Sequence, residues 1–199
     1  EECFKSFQNA GIPCIMIDSA YNIPNASYLM MDEYRAGQMA AQYFMSLGHD
    51  KAIAVYMDFT DSVSRLNGFC DVYSSAKKEA PIKLLYDNDG LEKNLLAIIS
   101  EQKPTAIFCY NDGIAADCVR ILRSNNIKVP EDISIMGVDD TVLATSCIPP
   151  LTTIIHPKQE LGKIAAEALL EFIRKERSCP YVNLVSPSLA IRESCAYIK

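Results

Sequence analysis

Three polar residues stand where chemistry is expected of them, each directly after a short apolar run. Asn111 follows AIFCY (106–110), Asp139 follows ISIMG and Val138 (133–138), and Asp18 closes IPCIMID (12–18). An apolar run of this length reads as a strand buried on both faces. In a parallel α/β sheet, ligands bind beyond the carboxyl ends of the strands. Asn111 and Asp139 therefore belong to one rim, an amide beside a carboxylate, and Asp18 ends a strand in the same sense. That pattern suits the binding of a polar ligand. The competing role is local: Asp112 fits as a helix N-cap beside Asn111, and Asp139-Asp140 also fit a turn or helix cap.

The elements that must carry these residues alternate along the chain. Strands are predicted at 12–18, 28–31, 51–57, 82–87, 106–110, 133–137 and 151–155, with one or two edge strands over 181–192. Helical spacing falls between them. Ala36, Ala40, Tyr43, Phe44 and Leu47 form one stripe, and Leu66, Phe69, Cys70, Tyr73 and Ala76 another. Ile114, Ala115, Cys118, Ile121 and Leu122 form a third over 113–123, and Leu161, Ile164, Ala165, Ala168, Leu169, Phe172 and Ile173 a fourth. A short helix fits 91–100, 141–150 reads as a loop, and a loop marked by Asn22, Pro24 and Asn25 spans 20–27. Strand–helix alternation means a parallel sheet covered on both faces.

Composition excludes several classes. The chain has 199 residues, 49% hydrophobic and 22% charged, as in an ordinary globular protein. Its net charge of −6 argues against a nucleic-acid-binding surface. No apolar run approaches the roughly 20 residues that span a bilayer, so no membrane partner is expected. The eight cysteines show no metal-type spacing and are expected to be reduced and buried, which points to the cytoplasm. No metal or cofactor is expected. There is no P-loop, no G-x-G-x-x-G, no H-E-x-x-H and no G-x-S-x-G. Only His49 and His156 are available to a histidine-dependent centre, and Asp58 and Asp61 lack the spacing of a phosphoryl-transfer pair. The chain does not read as an enzyme. His49, after Leu47-Gly48, is expected to make a structural hydrogen bond.

The set ID (17–18), LGHD (47–50), RLNGF (65–69), YND, GVDD, PPLTTI and HPKQELG resembles the effector-binding domain of the lactose/galactose-repressor family, and within it arabinose-responsive repressors. The likeness runs over nearly the whole chain. It implies an α/β, periplasmic-binding-protein-like fold of two doubly wound parallel-sheet subdomains, the first one truncated. By that resemblance residues 1–30 and 156–178 form the partial first subdomain and 31–155 and 179–199 the second. The DNA-binding domain, winged-helix or helix-turn-helix, lies outside. Apolar surface is then expected to be exposed along 12–18 or covered by dimer contacts.

The resemblance also implies a site and partners. A sugar needs carboxylate acceptors, guanidinium or amide donors and an apolar wall for its C–H face. The family's ligand contacts fall on Asp18, Arg65, Asn111, Asp139 and His156, with Met30, Phe59 and Tyr110 as wall candidates. Read without the resemblance, Arg65 is a solvated or salt-bridged helix residue and His156 a loop histidine. The implied role is a sugar-sensing domain of a repressor, answering to L-arabinose and releasing operator DNA bound through the outside domain. Homodimerisation would use the helix 113–123 and Leu143, Cys147 and Ile148 in the apolar loop 141–148. The alternative is the sugar-binding protein of a transport system, which shares the two-lobed fold. Two departures stand out: Val138 where the family more often has an aromatic, and Asp50 where a basic residue is common.

Overall fold

The computed structural model describes residues 2–18 and 25–198. The first elements are α1 (Glu2–Asn9), β1 (Met16–Ile17), β2 (Tyr28–Met31), α2 (Glu33–Ser46), β3 (Ala52–Tyr56) and α3 (Thr60–Ser75). Then follow β4 (Ile82–Leu85), α4 (Leu91–Gln102), β5 (Ala106–Cys109), α5 (Asp112–Ser124), β6 (Ser134–Val138) and α6 (Val142–Ser146). The last are β7 (Thr152–Ile155), α7 (Lys158–Arg174), β8 (Val182–Val185) and β9 (Ser188–Ala190). The expected loop over 20–27 falls largely on residues 19–24, outside the described ones.

The chain divides into two compact units. Unit 1 comprises Glu1–Asp32 and Pro157–Pro187. Its described strands form a three-stranded sheet in the order β1-β2-β8, all parallel. Leu29 of β2 and Val185 of β8 pack with Leu161 and Ala165 of α7 as a small core. The strand expected over 12–18 is only Met16–Ile17, because Pro13 has no N–H to give to a ladder. Ile12 and Ile17 are exposed, as expected of this segment.

Unit 2 comprises Glu33–His156 and Ser188–Lys199. Its six strands run β4-β3-β5-β6-β7-β9, parallel except for the antiparallel β7–β9 pair. Both faces are covered, and the alternation of the strands divides the core. Ile53, Val55, Ile107 and Cys109 face a cluster built with Leu95 of α4 and Ile114, Cys118 and Leu122 of α5. On the other side Phe108 stacks on Phe69 of α3, with ring centroids 4.9 Å apart, and Phe69 meets Phe44 of α2 edge-on.

Three expectations are corrected. The segment 179–187, expected with 188–199, carries β8, which pairs with β2 over four residues and lies in unit 1 together with Met31 and Asp32, while β9 completes the larger sheet. His156 ends the unit 2 stretch rather than beginning the first subdomain's return. Residues 142–146 form a short helix within the expected loop. The cysteines are also less uniformly buried than expected. Of the seven free thiols among the described residues, Cys109 and Cys118 are buried, Cys179 is exposed, and the others are intermediate. His49 is a buried pin, its ring nitrogens 3.0 Å from Thr105 Oγ1 and 2.9 Å from the Ala196 carbonyl.

Candidate functional site

Arg65 is the centre of the rim of unit 2. It sits in the second turn of α3 with only 3% of its surface exposed. A buried guanidinium must be paired, and here three elements pair it. Glu33, the first residue of α2, accepts from Arg65 Nε at 2.8 Å and from Nη2 through the same Oε2. The carbonyl of Tyr110, just past β5, accepts from Nη1. The Tyr110 ring lies under the guanidinium, 4.6 Å from Cζ to centroid. Among the described residues, three of the five N–H donors are engaged in this way and two are not.

Helix contact makes the pairing possible. A Cβ on Gly37 would overlap the Arg65 carbonyl oxygen, so only glycine lets α2 approach α3 this closely. Glu33 lies one turn before Gly37 on the same helix. At the start of α3, Phe59 is the N-cap in extended conformation without a side-chain cap bond, and Ser62 Oγ instead accepts from the Met57 amide at 2.8 Å. Ser62 thus ties the loop after β3 to the first turn of α3 and does not cap the helix.

Asn111 is the N-cap of α5, its Oδ1 accepting from Ile114 N at 2.9 Å. Capping uses only Oδ1, and the amide NH₂ keeps its donors for another partner. Asp112, expected as the cap, is buried with a different task. Its Oδ2 accepts from Thr141 N at 2.7 Å and Thr141 Oγ1 at 3.0 Å, and its Oδ1 from Thr153 Oγ1 at 2.6 Å. It thereby ties the start of α5 to the turn after β6 and to β7. Burial pushes its carboxyl up from the ordinary value, and the threonine hydrogen bonds oppose that.

Asp139 and Asp140 follow β6 with φ of 101° and 49°. Positive φ costs a residue with a Cβ about 1–2 kcal/mol, so this corner is held by its surroundings. The Asp139 amide donates to Ile154 O at 2.8 Å, and Asp140 Oδ1 meets Arg192 Nη2 at 2.6 Å. A Cβ on Gly137 would overlap Asp112 Oδ1, which accounts for the glycine of GVDD. Asp140 is thus a structural ion pair, and Asp139 follows the end of β6.

The charges of this rim act on one another. Burial pushes Glu33 up to about 7, against the lowering pull of Arg65, with Asp61 and Asp139 adding to the rise. Burial likewise pushes the Tyr110 phenol up to about 12. Phe59, 41% exposed, meets the Tyr110 ring edge-on at 5.0 Å, so two of the expected wall residues do form one apolar surface beside Arg65. The cavity against Arg65, Tyr110 and Ser62 is only about 10 Å³. His156 follows β7, half-buried. Asp18 and Met30 belong to unit 1: Asp18 is exposed after β1 with its amide 2.9 Å from Leu29 O, and Met30 is buried in β2. Glu33 escaped the sequence reading, because an acid in a first helical turn looks like a residue placed for the helix dipole.

The face expected to dimerise is only partly open. Val142, Leu143 and Ile148 are exposed, Cys147 is half-buried and Ala144 is buried in the core of unit 2. A cavity of about 520 Å³ lies alongside, lined by Val119, Arg123, Ile127, Val129 and Ile148 among others.

Residues 41–195 match the model of the periplasmic binding protein-like domain. The chain belongs to that family. Within it, this periplasmic-binding-protein-like chain is an effector-binding domain of the lactose/galactose-repressor type. It is 32% identical to the arabinose metabolism transcriptional repressor of Geobacillus stearothermophilus, over 96% of the chain and 56% of that protein. It is 31% identical to the ribose operon repressor of Haemophilus influenzae, over 94% of the chain and 59% of that protein. The chain thus spans somewhat over half the length of the curated relatives it matches. Among solved structures it is similar to a LacI family transcriptional regulator from Enterococcus faecalis with bound ribose. The TM-score is 0.84 and the identity 30%, over 98% of the chain and 73% of that one. These relatives are repressors and regulators, not enzymes. No described helix is long and apolar enough to cross a membrane, and no group of three or more candidate metal ligands occurs among the described residues.

Proposed function

We propose that this domain senses a small sugar for a longer transcriptional repressor. L-arabinose is the first candidate and D-ribose the second. The observation that carries the reading is the Arg65 guanidinium, buried at the carboxyl ends of β3 and β5 with two donors left and flanked by an aromatic pair. Asn111 supplies amide donors and Asp139 a carboxylate acceptor, the complement a polyhydroxylated ligand requires. Asp18, Met30 and His156 complete the proposed contact set by resemblance to the family. The arabinose and ribose repressors match at nearly equal identity and PurR repressors match as closely, so identity alone does not choose the ligand, and the pentose rests on the resemblance of the motifs.

In this reading the sugar binds the operator-released conformation better than the operator-bound one, since equal affinity for both shifts nothing. Operator DNA is held through a part of the protein outside this chain, and the repressor acts in the cytoplasm. It works as a homodimer, with Leu143, Cys147 and Ile148 at the interface. The exposure of Leu143 and Ile148 supports this, because large apolar side chains gathered on one face mark interaction sites.

A thermal-shift titration with pentoses, hexoses and purines tests the proposal. A ligand at 100 times its Kd stabilises by about 2.7 kcal/mol. A shift with L-arabinose or D-ribose supports the pentose-sensor reading. A shift with a purine alone replaces the ligand class, and no shift with any probe contradicts the reading.

A further inference from the structure

Glu33 is not among the proposed ligand contacts, yet its position is specific. One oxygen, Oε2, takes both Nε and Nη2 of Arg65, from a side chain that is itself only 12% exposed. Arg65 has no second carboxylate partner among the described residues, and its other bond goes to a backbone carbonyl and its face to an aromatic ring. The guanidinium is planar and its donors diverge in a fixed fork. Fixing the Nε/Nη2 edge against Glu33 therefore fixes where the remaining Nη1 and Nη2 hydrogens point.

We propose that Glu33 is a positioning residue of the effector site, orienting the Arg65 guanidinium so that its two remaining donors face the ligand. This rests on the sugar-sensing reading of the same rim. Glu33 does not touch the ligand in this account and acts through Arg65. The groups that face it are Arg65 and Asp61 from α3, Tyr110 from the end of β5 and Asp139 from the end of β6.

The assignment has a consequence that mere packing lacks. The carboxylate form of Glu33 makes an ion pair with Arg65 and the neutral carboxyl only a hydrogen bond, and its titration near 7 puts the change of state within reach of experiment. Above that value Glu33 is ionised and Arg65 is held; below it the carboxyl is neutral and the hold is weaker. Sugar affinity then rises with pH through 7, and binding near pH 7 releases protons.

The test is calorimetric titration of the domain with L-arabinose and, in parallel, D-ribose, from pH 5.5 to 8.5. Repeats in buffers of different ionisation enthalpy count the protons released. Misplacing the Arg65 donors weakens on the order of one hydrogen bond from a charged group, so affinity should be about tenfold lower at pH 5.5 than at pH 8. Glu33→Gln should bind weakly at every pH with a flat profile, and Glu33→Asp should restore part of the affinity together with the pH dependence. A flat wild-type profile without proton release, or a Glu33→Gln variant that keeps the slope, overturns the assignment while the sugar-sensing reading stands. Absence of binding by the wild type to either sugar at any pH overturns both. The wild-type profile and proton count do not depend on any variant folding.

Discussion

Glu33 Oε2 and Arg65 Nε lie 2.8 Å apart across the α2–α3 contact, a carboxylate and a guanidinium that share one buried site. The pair joins the first turn of one helix to the second turn of the next, where glycine at position 37 lets the helices close. It fixes the strongest hydrogen-bond donor of the rim, and it sets opposing demands on stability and binding.

The stability demand follows from linkage. The folded-state value of Glu33, about 7, exceeds the ordinary 4.5, so the native protein holds a proton there that the unfolded chain gives up. Stability from this group is fully present below pH 4.5 and is lost as pH rises toward 7. Glu33→Gln removes that loss. Urea unfolding of both proteins between pH 4.5 and 7.5 should show the variant gaining on the wild type as pH rises. A constant difference between them would contradict the linkage.

Asn111 combines two functions that one substitution separates. Asn111→Asp keeps an oxygen for the cap at Ile114 and removes the amide donors. Its stability should stay within about 0.5 kcal/mol of the wild type, since Asp and Asn are comparable caps, while sugar affinity falls. Asn111→Ala should lose affinity and also about 1 kcal/mol of stability. Equal sugar affinity in Asn111→Asp and wild type would remove Asn111 from the site.

Asp112 is the opposite case, structural with no ligand role. Removing its carboxylate strands three hydrogen bonds from Thr141 and Thr153 in a buried setting. Asp112→Ala should cost about 2–4 kcal/mol by urea unfolding. A cost near zero would mean that the turn after β6 is held by other contacts.

The rim was legible in the sequence as far as strand ends go. Asn111 and Asp139 could be placed because apolar runs in a parallel sheet all end on one side, whatever their register. Arg65 entered only through its likeness to a family motif, since a charged residue in a helix carries no mark of burial. Glu33 was invisible: its partner is 32 residues away, and nothing local distinguishes a buried first-turn acid from an exposed one. Adjacent Asn111 and Asp112 are equally good caps by type, and the threonines that claim Asp112 lie on distant strands. The short strands within 181–192 carry no pattern that names their neighbours, so the assignment of 179–187 to the larger unit failed where β8 met β2.

The apolar face around α6 gives a test of assembly. Leu143→Glu places a charge where Leu143 is 47% exposed beside the more exposed Val142 and Ile148. Sedimentation should show a dimer for the wild type and a monomer for the variant. An unchanged dimer would place the interface elsewhere.

The most direct measurement is titration of L-arabinose and D-ribose, by calorimetry at pH 8, into the wild type, Arg65→Ala and Asp139→Ala. The account predicts saturable one-site binding of at least one pentose by the wild type. Each variant should bind at least tenfold more weakly, because a hydrogen bond to a charged group is worth about 1.5–3 kcal/mol. Binding that survives both substitutions would contradict the site, and absence of binding to the wild type would contradict the function.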